Sequence, residues 1–437
     1  MGSNNPEKVY PLFTVIIPVK NRAEYLYHTL RTCMIQTYPN LEIIVCDDGS
    51  TDNTKAVIEE AKRIDPRIIS FNHDPGIGMR ENFEFAIKQV KPGYVIALGG
   101  DDGLFPDGIM KMYKVLKKTG ANLLTWMPPV YIFPNVMGKH GQLIVNHRIK
   151  KTIRMIDSSK FLNRQAKELS YINDIECPMF YVKGVVSTDL INTVCSRSED
   201  GRFYSCPTPD GYSGIVLAGE VKQFAFSGEP FSIYGMSPSS QGMAYLSNEE
   251  KAKKESENFF RDVSKKSMHL ELASQPYSPL ITLMTVDYLL TAKDLPGWNG
   301  NFQSIDFKQV LKNSIKELSL GQYGEDRISR ELKILKKIAD KHDLTDFFLE
   351  KVKNARRLKK VNYFEGSGVS PRVLFFDGKN HDLTNIFDAA YAAKNIINLN
   401  SEFSLKFIIK VLLKSFTYNL VRKSKGEKFP HESEWNN

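Results

Sequence analysis

Tyr94-Val-Ile-Ala-Leu-Gly-Gly-Asp-Asp-Gly-Leu-Phe-Pro106 decides how the rest of the chain is read. The apolar run Tyr94 to Leu98 has the length and composition of a buried strand. It breaks on Gly99-Gly100, presents Asp101 and Asp102, and passes through Gly103 to Pro106, which suits the start of a helix. Two adjacent carboxylates therefore stand at the carboxyl end of a central strand, where open α/β sheets bind their ligands. Carboxylates this close repel unless a cation or a proton intervenes. A hard divalent ion that also touches phosphate oxygens would relieve that repulsion. The plain alternative is a polar turn that caps a helix, for which Asp and Gly are ordinary choices.

Outward from this stretch, strands and helices alternate. Strands are expected at 13–18, 41–46, 68–71, 94–98 and 122–127, and helices at 23–35, 53–64, 79–89 and 106–118. This order predicts an α/β fold, Rossmann-like, with a mostly parallel sheet and helices on both faces. The usual phosphate loops are missing. Lys20-Asn21-Arg22 follows the first strand where a glycine-rich turn would stand, Gly76-Ile-Gly78 lacks a third glycine, and no GxxxxGK[ST] occurs. Acids close the second and fourth strands instead, as Asp47-Asp48 and Asp101-Asp102. Such a rim suits hydrogen bonding to a base or ribose and a metal-held diphosphate.

Three motifs in order, Thr14-Val-Ile-Ile-Pro18, Val45-Cys-Asp-Asp-Gly-Ser-Thr-Asp52 and Gly99-Gly-Asp-Asp102, resemble a family 2 glycosyltransferase of the GT-A fold, over roughly residues 12–245. The resemblance implies an inverting transferase of the bacterial polysaccharide-synthesis type. It would use a nucleotide-diphosphate sugar, a UDP-sugar being favoured, and Mn²⁺ or Mg²⁺. Pro18, Lys20, Arg22 and Asp48 would bind the nucleotide, Asp48 reading the base, with Arg80 and Asn82 near it. The DxD-type motif aligns with Gly100-Asp101-Asp102, so Asp102 would hold the metal and Asp101 the ribose or a metal-bound water. The first acid of that motif falls near Gly99, a departure that keeps open a sugar-nucleotide-binding scaffold without turnover. A helix-capping Asp48 and a solvated helix start at Arg80 and Asn82 are the structural alternatives.

Transfer to a hydroxyl needs a base opposite the leaving group. Pro209-Asp210-Gly211-Tyr212 places Asp210 at a helix start, whose N-terminus favours the ionised carboxylate. Glu199 and Asp200 are rivals on a polar loop, and a capping Asp without chemistry is the alternative. Residues 128–205 pattern less regularly, with strands read at 142–147 and 179–183, and the region would shape the acceptor site. After a strand at 223–227, Ser237 and Ser240 lie on a loop that could hydrogen-bond a diphosphate, or be plain surface.

The chain has 437 residues, of which 42% are hydrophobic and 25% charged, the ordinary make-up of a globular protein. The organisation expected is a GT-A unit over 1–247 and a mainly helical C-terminal unit over 248–437. Helices are read at 248–266, 280–290, 307–318, 327–341, 344–358 and 383–397, with a lone strand at 372–376. Five cysteines without close CxxC pairing, and no export signal, point to free thiols and a cytoplasmic location. The net charge of +9 suits anionic partners. Basic residues are spread out and no RNP1 or helix-turn-helix motif appears, so nucleic acid is not expected, although an anionic-polymer-binding protein is the competing class. Phe403 to Lys425 alternates bases with apolar residues. It would lie peripherally on the inner face of the cytoplasmic membrane, close to a lipid-linked or glycan acceptor, or pack on its own domain or a homodimer partner.

Overall fold

The computed structural model describes residues 9–136, 139–146, 152–240, 257, 260, 266–358, 366–370, 372–398 and 427–428. Helices read over 248–266 and 403–425 lie outside these residues, apart from 257, 260 and 266.

Strands β1 (Phe13–Val19), β2 (Leu41–Asp47), β3 (Ile68–Asn72) and β4 (Tyr94–Ala97) run parallel, in the spatial order β3-β2-β1-β4. Every residue of β1 is buried, as its apolar and β-branched sequence requires of a strand covered on both faces. Pro18 is tolerated here for a local reason. Residues 16 and 18 face β4, but the β1–β4 ladder ends at Ile16↔Ala97, so no ladder bond is lost at the proline. The intervening helices are α1 (Ala23–Met34), α2 (Thr54–Ile64) and α3 (Met79–Lys88). In α1, Leu26, Leu30 and Cys33 recur at helical spacing and face the sheet. Gly103–Leu104 forms the short β5, and α4 (Gly108–Thr119) ends on Gly120 with φ +67, the left-handed close of a helix.

Past β6 (Leu123–Trp126) the chain departs from the parallel pattern. After β7 (Val130–Ile132), β8 (Gln142–Asn146), β9 (Ile153–Asp157) and α5 (Ser158–Glu168), strand β10 (Gly184–Ser187) inserts antiparallel between β4 and β6. The strand expected at 179–183 is not formed. Val182 takes φ +56, which turns the backbone, and the buried Lys183 ammonium donates to the carbonyls of Asp174 and Ile175. Pairing begins one residue later. Helix α6 (Thr188–Arg197), helix α7 (Pro209–Gly219) and strands β11 (Gln223–Ser227) and β12 (Ser232–Met236) follow. The main sheet runs β3-β2-β1-β4-β10-β6-β11-β9 with helices on both faces, as the alternation predicts.

The second half is mainly helical: α8 (Ile281–Lys293), α9 (Phe307–Leu318), α10 (Glu325–Lys341), α11 (Thr345–Asn354) and α12 (Ile386–Asn398). Short strands β13 (Arg356–Arg357) and β16 (Glu427–Lys428) pair with each other. The strand expected to stand alone near 372–376 does not. β15 (Val373–Asp377) pairs with β14 (Gly368–Val369) and with β8, building a second sheet of order β14-β15-β8-β7-β12-β5. α12 then packs on α1, β5, β8 and β12, so the late segments close over the early ones. All five cysteines are unpaired and four are buried, in line with the expectation of free thiols. Among the described residues, no helix is long and apolar enough to cross a membrane.

Candidate active site

The carboxyl ends of β1, β2 and β4 meet on one rim. Asp48 leaves β2 with its N–H bonded to the carbonyl of Val19. Its carboxylate is only 2% exposed and accepts from the amides of Ile77 and Gly78, at 2.5 and 3.0 Å, and from the Lys20 ammonium at 3.2 Å. The loop before α3 is thus folded onto Asp48. Two strand positions separate Asp48 from the Asp101-Asp102 turn, a backbone separation of about 10 Å. Arg22 spans the gap. Its guanidinium donates to the carbonyls of Lys20 and Asn21 and, at 2.7 Å, to that of Ser239. Its Cβ and Cγ would lie 3.0 Å from any side chain placed at Gly100.

The two acids of the turn differ. Asp102 is fully buried. One oxygen accepts the Gly99 amide at 2.7 Å, the other the Gly235 amide of β12 at 2.8 Å, and the Tyr181 hydroxyl bonds it as well. Burial, with the Asp101 charge added, pushes the Asp102 carboxyl well above the carboxylate range against these hydrogen bonds. Among the described residues, Asp101 accepts from the Ser237 hydroxyl alone, at 2.6 Å on Oδ2, and its Oδ1 has no partner. A single oxygen of that kind suits a hard divalent ion that keeps waters and takes phosphate oxygens, which needs one or two protein carboxylates. Among the described residues, no three His, Cys, Asp or Glu side chains gather as a complete protein cage.

β12 can reach Asp102 because residue 235 is glycine. A Cβ there would stand 1.8 Å from the carbonyl oxygen of Asp101. Gly235→Ala is expected to push the strand off the turn, lowering stability by about 1–3 kcal/mol. Chemical denaturation at constant m-value checks this.

Asp210 is the second residue of α7, after Pro209 at the first. Burial pushes its carboxyl up to about 6, opposed only by a backbone hydrogen bond. Tyr181 and Tyr234, both partly buried, lie within electrostatic reach of Asp101, Asp102 and Asp210 alike. The rival carboxylates fare differently. Glu199 and Asp200 are exposed, and the Ser198 hydroxyl holds the Asp200 carboxyl below its usual range.

Other residues singled out in the sequence have structural partners. Asn82 donates to the Cys46 carbonyl at 2.9 Å, under the acidic loop, while its buried Oδ1 stays unpaired. Arg80 pairs with Glu81, and Arg202 bonds the same carboxylate. Ser237 spends its hydroxyl on Asp101, and the Ser240 amide closes a turn onto the Ser237 carbonyl. Sequence reading missed Tyr181, Tyr234 and Gly235, and also Glu84. The buried Glu84 carboxylate accepts the amides of Phe203 and Tyr204 and so fixes the loop leading to α7. None of the four carries a local signal, since each matters through a partner distant in sequence.

Comparison with known proteins places these strand ends. Residues 14–172 match the family model described as glycosyl transferase family 2. An uncharacterised glycosyltransferase of Rickettsia typhi is 35% identical over 108 residues, covering 25% of this chain and 33% of that protein. The chondroitin synthase of Escherichia coli is 33% identical over 140 residues, covering 32% of this chain and 19% of the synthase. The matched region therefore spans a third or less of these relatives' length. Among solved structures, S. aureus TarS 1–349 in complex with UDP is 14% identical with a TM-score of 0.41, covering 80% of this chain and 94% of that one. Residues 14–172, which carry the strand ends bearing Asp48, Asp101 and Asp102, belong to glycosyl transferase family 2.

Proposed function

We propose that the chain is an inverting glycosyltransferase that moves a sugar from a nucleotide-diphosphate sugar, a UDP-sugar by preference, to a hydroxyl of a glycan or lipid-linked acceptor. One observation carries the reading: Tyr181 and Tyr234 lie within electrostatic reach both of the acidic turn that closes β4 and of the carboxyl at the start of α7, which burial raises to about 6. The chondroitin synthase among the relatives supports a glycan acceptor.

Asp48 and the loop it organises would hold the base and ribose, beside the half-exposed Lys20 ammonium. Lys20 and Arg22 put positive charge where a diphosphate would lie. Asp101 would ligate Mn²⁺ or Mg²⁺, and Asp102, with both oxygens engaged, would hold the turn behind it. When bound, the ion supplies Lewis-acid stabilisation to the leaving diphosphate. In the step itself, Asp210 removes the acceptor hydroxyl proton as that oxygen bonds to the anomeric carbon. The bond from this carbon to the diphosphate oxygen breaks on the opposite face, its electron pair leaving with the nucleotide, so the configuration inverts.

The test is nucleoside diphosphate release from a panel of UDP- and GDP-sugars, with and without Mn²⁺. Release from at least one donor supports the reading. UDP binding without release from any donor supports a non-catalytic binding protein. The pH profile is a second expected result. Asp210 acts as a base only when deprotonated, so turnover rises with pH through about 6 and then levels off. Initial rates between pH 4.5 and 8.5 check the midpoint.

A further inference from the structure

Helices α7 and α8 pack along one another, and both are buried on nearly every side. A helix apolar all round belongs inside a protein, and these two join the sheet to the helical second half. Their contact is specific at the first turn of α7. Thr208 occupies the N-cap position, where a threonine hydroxyl ordinarily accepts an amide of its own helix. Here it makes no such bond. Its Oγ1 lies 2.5 Å from the hydroxyl of Tyr288 on α8, both residues are buried, and the Tyr277 side chain hydrogen-bonds Thr208 as well. The Tyr288 ring also meets the ring of Tyr171, with centroids 5.4 Å apart at 66°. Both rings press on Gly211, where a Cβ would come within 2.6 Å of each. Tyr171 is held in turn by α8, its amide donating to the Thr285 hydroxyl at 3.3 Å. The residues on either side of Pro209-Asp210 are thus gripped from the second half of the chain.

We propose that Tyr288 is a positioning residue for the transfer reaction: through the Thr208 hydroxyl it fixes the first turn of α7 and so the direction of the Asp210 carboxylate. The inference rests on Asp210 being the base. Tyr288 is 1% exposed, which leaves it no surface to offer a substrate, so its effect passes through Thr208. A cap hydroxyl turned to a tyrosine on another helix trades local helix stability for orientation. Among the described residues, those around Asp210 contribute hydroxyls and rings but no ion pair to secure its orientation.

The experiment uses the full chain and the donor that turns over in the panel. Tyr288→Phe keeps the ring and removes the bond. It is expected to lower kcat about tenfold, as small misplacements of a reacting group do, with KM and the affinity for UDP within twofold of the parent. Thr208→Val should behave alike and Thr208→Ser should restore the parental rate. A purely packing role would move none of these, because Phe fills the same space. A second readout needs no turnover. With ¹³C-carboxyl aspartate, the Asp210 resonance, assigned by its loss in Asp210→Asn, should titrate near 6 in the parent. In Tyr288→Phe it should titrate about half a pH unit lower, as a looser turn admits water. Parental kcat and a parental titration in both Tyr288→Phe and Thr208→Val would overturn the inference. The two readings fail separately: full turnover by Asp210→Asn removes the base, whereas a dead Asp210→Asn beside a parental Tyr288→Phe removes only the positioning role. If Tyr288→Phe fails to fold, the Thr208→Val and Thr208→Ser pair decides.

Discussion

Asp210→Asn is expected to lower turnover about a thousandfold while UDP affinity stays within twofold, since a positioned general base contributes about 10²–10⁴. The amide has the size of the carboxylate, so the first turn of α7 and its tyrosines keep their packing, but it cannot take a proton. The nucleotide contacts proposed for Asp48 and Lys20 belong to the ends of β1 and β2, which the substitution does not touch. Steady-state rates and calorimetric titration with UDP measure the two effects independently. Stability gives a cross-check whose sign follows from the raised carboxyl. A carboxylate at about 6 in the folded chain and about 4 in the unfolded one binds more protons when folded. Its contribution is therefore most favourable below the unfolded value and turns unfavourable as pH rises to about 6. Asp210→Asn should raise the melting temperature at pH 8 and by less at pH 4. A group kept against stability is what a catalytic role would explain.

The second large contrast separates the adjacent acids. Asp101→Ala removes one acceptor, that of the Ser237 hydroxyl, which can rotate to another. Stability should fall by about 1 kcal/mol, whereas turnover should fall about a hundredfold and lose its response to Mn²⁺, because stabilisation of the leaving group by the ion amounts to several kcal/mol. Asp102→Ala strips the acceptor from two buried amides, Gly99 and Gly235. Each orphaned donor costs about 1–3 kcal/mol, so the loss of stability should be about 2–6 kcal/mol, a large share of what holds a domain folded. Denaturant unfolding and Mn²⁺ titrations on both variants test the division. If Asp102→Ala folds with parental stability and loses only its response to Mn²⁺, the roles are reversed.

The first four strands and three helices were legible because their apolar residues recur at periods of two and of about three and a half, and acids and glycines punctuate each end. Asp48, Asp101, Asp102 and Asp210 were legible for the same reason: each follows a strong strand or opens a strong helix. Between 128 and 205 the signals fail. β9 carries an arginine on an edge, and β10 is only four residues long and starts on a glycine. Val182 bends the chain where β-propensity reads an extended run, since the buried Lys183 needs the carbonyls of 174 and 175. Propensity describes how a residue suits a pleated surface and knows nothing of such a partner. The different burdens on Asp101 and Asp102 were illegible too, because the amide that engages Asp102 comes from residue 235. The tyrosines around α7 look in sequence like any other core aromatics.

The packing of α12 on β5 and β12 bears on how the protein is made. Ile386 closes over Gly103, one residue beyond Asp102. A ribosome releases the acidic turn nearly three hundred residues before the helix that backs it. The nascent chain must hold this turn with only Thr32 and Ile233 against Gly103, and without Ile386, while the whole helical half is translated. Completion of this wall is therefore a late event in biosynthesis, and chains released early would carry Asp48, Asp101 and Asp102 yet lack the helix behind them.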